Sequence, residues 1–198
     1  MKKNTILITG GTGFIGSNLI KMFKKKGWDV ISLSLNKKNK IKGIKGINLN
    51  VSNKKILFKE LNKHKIDYII NLAGHINHYE KRKTFDTHFT GCKNLIDFAV
   101  KKKIRKFIQI GSSVEYGFSR SPISENKKTS IKNLKSVYGI SKLKASKYLV
   151  KISKDKDLKY IILRPFLVYG PGQTSQRLIP NTIINCLNNK KFLCSDGK

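Results

Sequence analysis

The chain predicts an α/β fold built on a doubly wound parallel sheet, and three observations carry that expectation. An apolar run, Ile6-Leu7-Ile8, leads straight into Thr9-Gly10-Gly11-Thr12-Gly13-Phe14-Ile15-Gly16. That turn opens an amphipathic pattern, Phe14, Ile15, Leu19, Met22 and Phe23, with helical spacing. Further along, short apolar runs alternate with helical periodicity, the pattern of strand–helix units whose ligands sit at the carboxyl ends of the strands. At 198 residues the chain can bury one core, with room for the start of a second domain.

The first strand and its glycine turn have the order that a dinucleotide pyrophosphate requires. Gly10 can adopt a backbone conformation closed to other residues, Gly13 lets the main chain approach phosphate, and Gly16 lets the helix lie close to the strand. The amides and dipole of the new helix then face the anion. Gly10, Thr12, Gly13, Phe14, Ile15 and Gly16 are therefore candidate cofactor contacts; a tight turn without a ligand is the bland alternative.

Gly27-Trp28-Asp29 turns into a second strand, Val30 to Ser34. Enzymes that prefer NAD carry an acidic residue at its end, for the adenosine ribose 2′-hydroxyl. Here Ser34 is followed by Leu35-Asn36-Lys37-Lys38, with no carboxylate to repel a 2′-phosphate and two lysines to pair with one. Ser34, Asn36 and Lys37 join the candidate contacts, and NADP(H) is expected over NAD(H). Lys37, Lys38 and Lys40 could equally be a solvated loop.

A short strand is expected at Gly46 to Val51 and a helix from Lys54 to Lys65, with Ile56, Leu57 and Leu61 inward. Asp67 to Gly74 reads as a fourth strand. Its end, Leu72, Ala73 and Gly74, is slim enough to run beside a cofactor. A helix over 84–102 carries Leu95, Ile96, Phe98 and Ala99 on its apolar side, and a strand from Lys106 to Ile110 delivers Gly111-Ser112-Ser113. Residues 118–135, with Pro122, read as an irregular loop. Tyr138-Gly139-Ile140-Ser141-Lys142 opens a helix continuing through Leu143, Ala145 and Leu149.

Four residues apart on a helix, Tyr138 and Lys142 share a face. A phenol, with an unperturbed pKa of about 10, is a poor acid or base at neutral pH. A neighbouring ammonium favours the phenolate and makes it usable beside a hydride transfer at a carbon bearing oxygen. Ser112, at its strand end, could bond the same oxygen. A surface tyrosine beside a lysine is the alternative, and the glycine turn and the strand-end serines weigh against it.

Composition narrows the classes. The net charge of +31 comes from lysines spread along the chain rather than gathered in one stripe. It predicts attraction of small anions and salt-sensitive binding, not a specific nucleic-acid surface. Cys92, Cys186 and Cys194 are odd in number and lack metal-ligand spacing, so reduced buried thiols and no metal site are expected. No apolar run is long enough for a bilayer, and the run after Met1-Lys2-Lys3 breaks too soon for an export signal. A cytoplasmic protein with no membrane partner is expected.

Thr9–Gly16, Asn71–Gly74, Ser112–Gly117, Tyr138–Lys142 and Arg164–Gly172 follow one another in an order and spacing that resemble the extended short-chain dehydrogenase/reductases, the NAD-dependent epimerase/dehydratase family acting on nucleotide sugars. The resemblance implies a Rossmann domain with bound NAD(P) and a sugar linked to a nucleoside diphosphate as substrate. It implies Tyr138 as acid/base, Lys142 on the nicotinamide ribose, and Ser112 orienting the reacting oxygen. Hydride would pass at a sugar carbon, most often C4. Asn50, with Val51 beside it, stands where an Asp often meets adenine, and Pro165 adds a cofactor contact. Residues 84–102 and 138–153 would pair two copies as a homodimer.

Departures refine the expectation. Family dehydratases carry an acidic pair where Ser113 and Val114 stand, and Glu115 falls one place late, on the other side of a strand-like backbone. This disfavours dehydration and leaves an epimerase or 4-ketoreductase. Gln176-Arg177-Leu178-Ile179-Pro180 looks more like the ketoreductases. Ser113 and Arg177 are candidate substrate contacts, Arg177 being as readily a surface arginine, and Leu167 replaces an Asn that often touches substrate. His88 fills the place of a supporting Asn, either as a proton relay or as a packed helix histidine. The expected division is a cofactor domain over 1–170 and a substrate lobe that begins at 171–198 and is cut short. That short end also admits a noncatalytic NAD(P)-binding or redox-sensing module, against which the intact Ser112, Tyr138 and Lys142 count.

Overall fold

The computed structural model describes residues 3–35 and 41–193, in two compact units, Met1–Phe166 and Leu167–Lys198. In the first unit six strands form one parallel sheet: β1 Thr5–Thr9, β2 Asp29–Ser34, β3 Lys45–Asn48, β4 Tyr68–Asn71, β5 Lys106–Ile110 and β6 Tyr160–Leu163. Their spatial order is β3-β2-β1-β4-β5-β6. This is the Rossmann arrangement, and β1 and β4 flank the point where the winding reverses, outside which ligands bind.

Alternation along β1 explains the layers. Leu7 faces a core with Ile31, Leu33, Ile69 and Phe107, covered by Leu57 and Leu61 of α2 (Lys54–Leu61), Leu95 and Phe98 of α4 (Cys92–Lys101) and Ala145 and Leu149 of α5 (Val137–Lys156). Ile6 and Ile8 point the other way, with Val30, Ile70 and Ile20 of α1 (Phe14–Lys25). Parallel strands buried on both faces read as the near-continuous apolar runs seen here.

Several boundaries differ from expectation. β3 stops at Asn48 because Asn50 turns the chain, its Oδ1 accepting from Ser52 N at 3.0 Å. α2 starts where expected, capped by Asn53 Oδ1, but ends at Leu61 in a turn in which Lys63 N donates to Glu60 O. β4 spans only Tyr68–Asn71 of the strand expected over Asp67–Gly74. The helix expected at 84–102 begins earlier, as α3 (Lys81–Phe85), and passes through a π-helical stretch, Asp86–Gly91, before α4. Such an insertion often marks a functional position. α5 is capped by Ser136 Oγ, which accepts from Gly139 N at 3.0 Å, and it closes at Asp157 in a left-handed conformation.

Asp97 links three helices. It accepts from Lys54 Nζ at 2.7 Å, Lys93 Nζ at 3.2 Å and Tyr148 Oη at 2.6 Å. Burial pushes its carboxyl up, but these bonds outweigh burial and leave the pKa below the ordinary carboxylate value. Cys92 is a buried free thiol, which burial pushes up to about 12. Cys186 is exposed rather than buried, because it lies on α6 (Leu178–Leu187) of the second unit, which buries none of its residues. Cys194 lies outside the described residues. Pro180 sits in the first turn of α6, where its missing N–H is harmless. Among the described residues no helix is long and apolar enough to cross a membrane, and no group of three or more His, Cys, Asp or Glu could hold a metal.

Candidate functional site

Polar side chains at the strand ends bind to one another. Thr9 Oγ1 donates to Asn71 Oδ1 at 2.6 Å and accepts from the Leu72 and Ala73 amides at 3.1 Å each. Asn71 Nδ2 donates to Gln109 Oε1 at 2.8 Å, and Gln109 Nε2 to Ile110 O at 3.0 Å. Cys92 Sγ also donates to Gln109 Oε1, at 3.0 Å. The ends of β1, β4 and β5 are thereby fixed to one another through buried, satisfied groups.

The glycine turn rises from this platform. Gly10 has φ +64°, and its amide donates to Leu33 O at 2.8 Å; a side chain there would stand 2.7 Å from Leu72 O. Gly16 lies against Gly10. α1 is capped by Gly13 with no side-chain hydrogen bond and has no acidic residue in its first turn, so among the described residues the positive dipole end at the amides of Phe14, Ile15 and Gly16 has no acidic cap. Thr12, Phe14 and Ile15 are half-buried around it. A pyrophosphate fits a cradle of this kind.

Ser34 is buried at the end of β2. Asn36 and Lys37, with Lys38 and Lys40, lie outside the described residues. Asn50 spends its side-chain oxygen on Ser52, whose hydroxyl donates at 2.7 Å, while the carbonyl of buried Val51 accepts from Asn94 Nδ2 at 3.0 Å. Leu72 and Ala73 are half-buried and Gly74 is exposed beyond β4.

Across the sheet ends, Lys142 links the helix turn of Tyr138 to the end of the strand that leads to Ser112. Lys142 is 6% exposed and donates from Nζ to Ile110 O at 2.7 Å, two residues before Ser112. Its burial lowers the pKa below that of an exposed lysine. The same Nζ lies 5.8 Å from the centre of the Tyr138 ring, one helical turn back. Ser112 is buried and extended, and its Oγ accepts from Val114 N at 3.3 Å. Ser113 N donates to Pro165 O at 3.1 Å, which sets Pro165 beside the serine pair. Arg177 belongs to the second unit, where it precedes α6 and its carbonyl accepts from Asn181 N at 2.9 Å.

Two features were not foreseen. Glu115 was expected on a strand-like backbone, but Ser113–Tyr116 is a 3-10 turn, which swings the carboxylate inward. The spacing Ser112-Ser113-Val114-Glu115 is a capping-box signature that could have revealed it. Histidines also gather on Tyr138. His78 stacks on its ring at 4.2 Å and 15°, and His88 meets it edge-on at 5.0 Å. His88 Nε2 accepts from His75 N at 3.2 Å, so the loop after β4 is held down onto the π-helical stretch. The sequence marks His88 as a relay or a packed helix histidine, and it is packed, 5% exposed; His75 and His78 carry no signal beyond their number between β4 and α4.

Comparison with known proteins agrees with this fold. The chain matches the model of the NAD dependent epimerase/dehydratase family over residues 6–198. It is 30% identical to a dTDP-D-glucose 4,6-dehydratase of Dictyostelium discoideum, over 94% of this chain and 49% of that protein. It is 28% identical to an ADP-L-glycero-D-manno-heptose-6-epimerase of Brachyspira hyodysenteriae, over 94% of this chain and 61% of that protein. The chain thus spans about half the length of the first of these relatives. Among solved structures, a UDP-glucose 4-epimerase of Thermotoga maritima with UDP-glucose shares the fold at a TM-score of 0.87 and 24% identity, over 98% of this chain and 66% of that one.

His88 is 5% exposed, and burial, reinforced by the Lys142 charge, lowers its pKa to about 3. Between about 3 and 6.5 the unfolded chain binds the proton that the folded chain refuses. The stability gained by keeping His88 neutral is therefore complete above about pH 6.5 and is lost as pH falls toward 3. In an NMR titration the His88 ring should stay neutral at pH 5; a midpoint near 6.5 would contradict its burial.

Proposed function

We infer that this chain, which belongs to the NAD dependent epimerase/dehydratase family, carries the cofactor site and the acid/base site of a nucleotide-sugar epimerase or 4-ketoreductase. The observation that carries this is the Lys142–Ile110 bond, which joins the helix bearing Tyr138 to the strand that delivers Ser112. Burying a lysine is costly unless it is bonded, and a module that only binds a dinucleotide has no use for one beneath a tyrosine.

The Gly10–Gly16 turn and the backbone at Leu72, Ala73 and Gly74 would hold NAD(P), which when bound would supply the hydride acceptor and donor. The protein's part is the proton. Tyr138 Oη takes it from a sugar hydroxyl as the carbonyl forms and returns it on reduction. Lys142 uses one of its three donors on Ile110 O and keeps the others, with its charge, for the phenolate side and the nicotinamide ribose. Ser112 Oγ accepts from Val114 N, which leaves its own O–H to donate to the reacting sugar oxygen. Glu115, with both oxygens engaged within the protein, offers no base for eliminating water, which favours epimerisation or reduction over dehydration.

The finer assignments follow the sequence. Ser34 ends β2 without a carboxylate and lysines follow, which favours NADP(H) over NAD(H). Residues up to 170 form the cofactor domain and 171 onward begins the substrate lobe; Ser113 and Arg177 are the candidate substrate contacts that the sequence offers. Two copies pair through 84–102 and 138–153, and the protein works in the cytoplasm.

Tyr138→Phe should lower turnover of a sugar nucleotide by at least about a hundredfold, the usual worth of a general acid/base, and leave cofactor affinity unchanged. Near-normal turnover would remove the proposed role, and tight cofactor binding by a wild-type chain that turns over no sugar nucleotide would favour the noncatalytic module. In direct titration NADPH should bind more tightly than NADH; the reverse order would refute the strand-end assignment.

A further inference from the structure

We propose that Glu115 is a positioning residue for Ser112, acting through a buried clamp with Arg164 rather than on the substrate. The proposal rests on Ser112 being the group that orients the reacting oxygen.

Glu115 is 0% exposed, an unusual place for a carboxylate unless both its oxygens are engaged. They are. Oε1 accepts from the Ser112 amide at 2.9 Å, and Oε2 accepts from Arg164 Nε at 2.9 Å. The guanidinium carbon of Arg164 lies 5.0 Å from the centre of the Tyr116 ring, so the cation is held from two sides. Gly111 leaves the space: a side chain there would overlap Glu115 Oε1. The same segment is bonded to the end of β6 and the chain just after it, on either side of the clamp, Gly111 N to Leu163 O at 2.7 Å and Ser113 N to Pro165 O at 3.1 Å.

The consequence for Ser112 is geometric. Its backbone amide is committed to Glu115, and its Oγ caps Val114 N, so neither the extended backbone nor the hydroxyl can turn without breaking a bond. Lys142 holds Ile110 O two residues earlier. Ser112 is thus fixed from both sides relative to Tyr138, and a hydroxyl set to reach a reacting oxygen needs its second shell fixed in this way. Removing the carboxylate frees the Ser112 amide and leaves the Arg164 guanidinium without its counter-charge.

The test is a double-mutant cycle with turnover and cofactor affinity measured on the wild-type chain, Glu115→Ala, Ser112→Ala and the double variant. If Glu115 acts through Ser112, Glu115→Ala alone lowers kcat by about tenfold or more with cofactor affinity unchanged, and adds less than about twofold in the Ser112→Ala background. Independent losses that multiply, or a loss seen in cofactor affinity and not in kcat, would overturn the proposal. Should Glu115→Ala not fold, Glu115→Gln keeps an acceptor for the Ser112 amide but no charge for Arg164, so the clamp predicts a smaller loss in kcat, about threefold or more, that disappears in the Ser112→Ala background; no loss, or one that multiplies with Ser112→Ala, would overturn it. A wild-type chain that turns over no sugar nucleotide would instead refute the enzyme assignment, and the positioning role with it.

Discussion

Six parallel strands end at one edge of a sheet whose central strands are buried on both faces, and the polar groups that gather there must be satisfied within the protein. Leaving one such group unpaired costs about 1–3 kcal/mol. The chain meets this constraint with side chains: Thr9 bonds Asn71, Asn71 bonds Gln109, and Gln109 bonds the carbonyl of Ile110. Lys142 Nζ takes the same carbonyl. Because a slip of one residue would turn these side chains to the opposite face, the network pins the register of β1, β4 and β5 as well as their ends. The glycine turn, the serine pair and the Tyr138 helix all stand on it.

Much of this was legible because it is local. The turn from Thr9 to Gly16 between an apolar run and an amphipathic pattern announces strand, turn and helix from neighbouring residues alone, and Tyr138 with Lys142 follows from helical spacing. What escaped depends on backbone changes that leave no periodicity. The π-helical stretch at Asp86–Gly91 shifts the helical phase, which is how His88 comes to face Tyr138 and the loop carrying His75. The 3-10 turn at Ser113–Tyr116 turns Glu115 inward where an extended backbone would have turned it away. β6 is four residues long and follows the long α5 with only a short turn between them, and three of its four side chains are exposed, so it carries no alternation to mark it. The strand-end network was hidden for another reason: Thr9, Asn71 and Gln109 are far apart in sequence, and only strand pairing joins them.

Charge shapes the molecule differently at long and short range. With 42 Lys and Arg against 11 Asp and Glu, cations far outnumber acidic residues, and the general field favours anions. The acidic residues that do bind cations inside the fold are placed with economy. Asp97 gathers Lys54, Lys93 and Tyr148 between helices, and Glu115 holds Arg164 beneath the serine turn. Such a field speeds the arrival of any anion but selects none. Selection must come from the uncapped start of α1 and the backbone that passes close to it at Gly10.

That distinction gives the central claim its most direct measurement, a calorimetric titration of the chain with NADPH at low salt and again at physiological ionic strength. A preformed pyrophosphate cradle predicts saturable binding at one site per chain that persists when salt screens charges beyond about 8 Å. Binding of several equivalents per chain, or binding that vanishes at physiological salt, would show that net charge rather than the glycine turn attracts the dinucleotide, and would contradict the account.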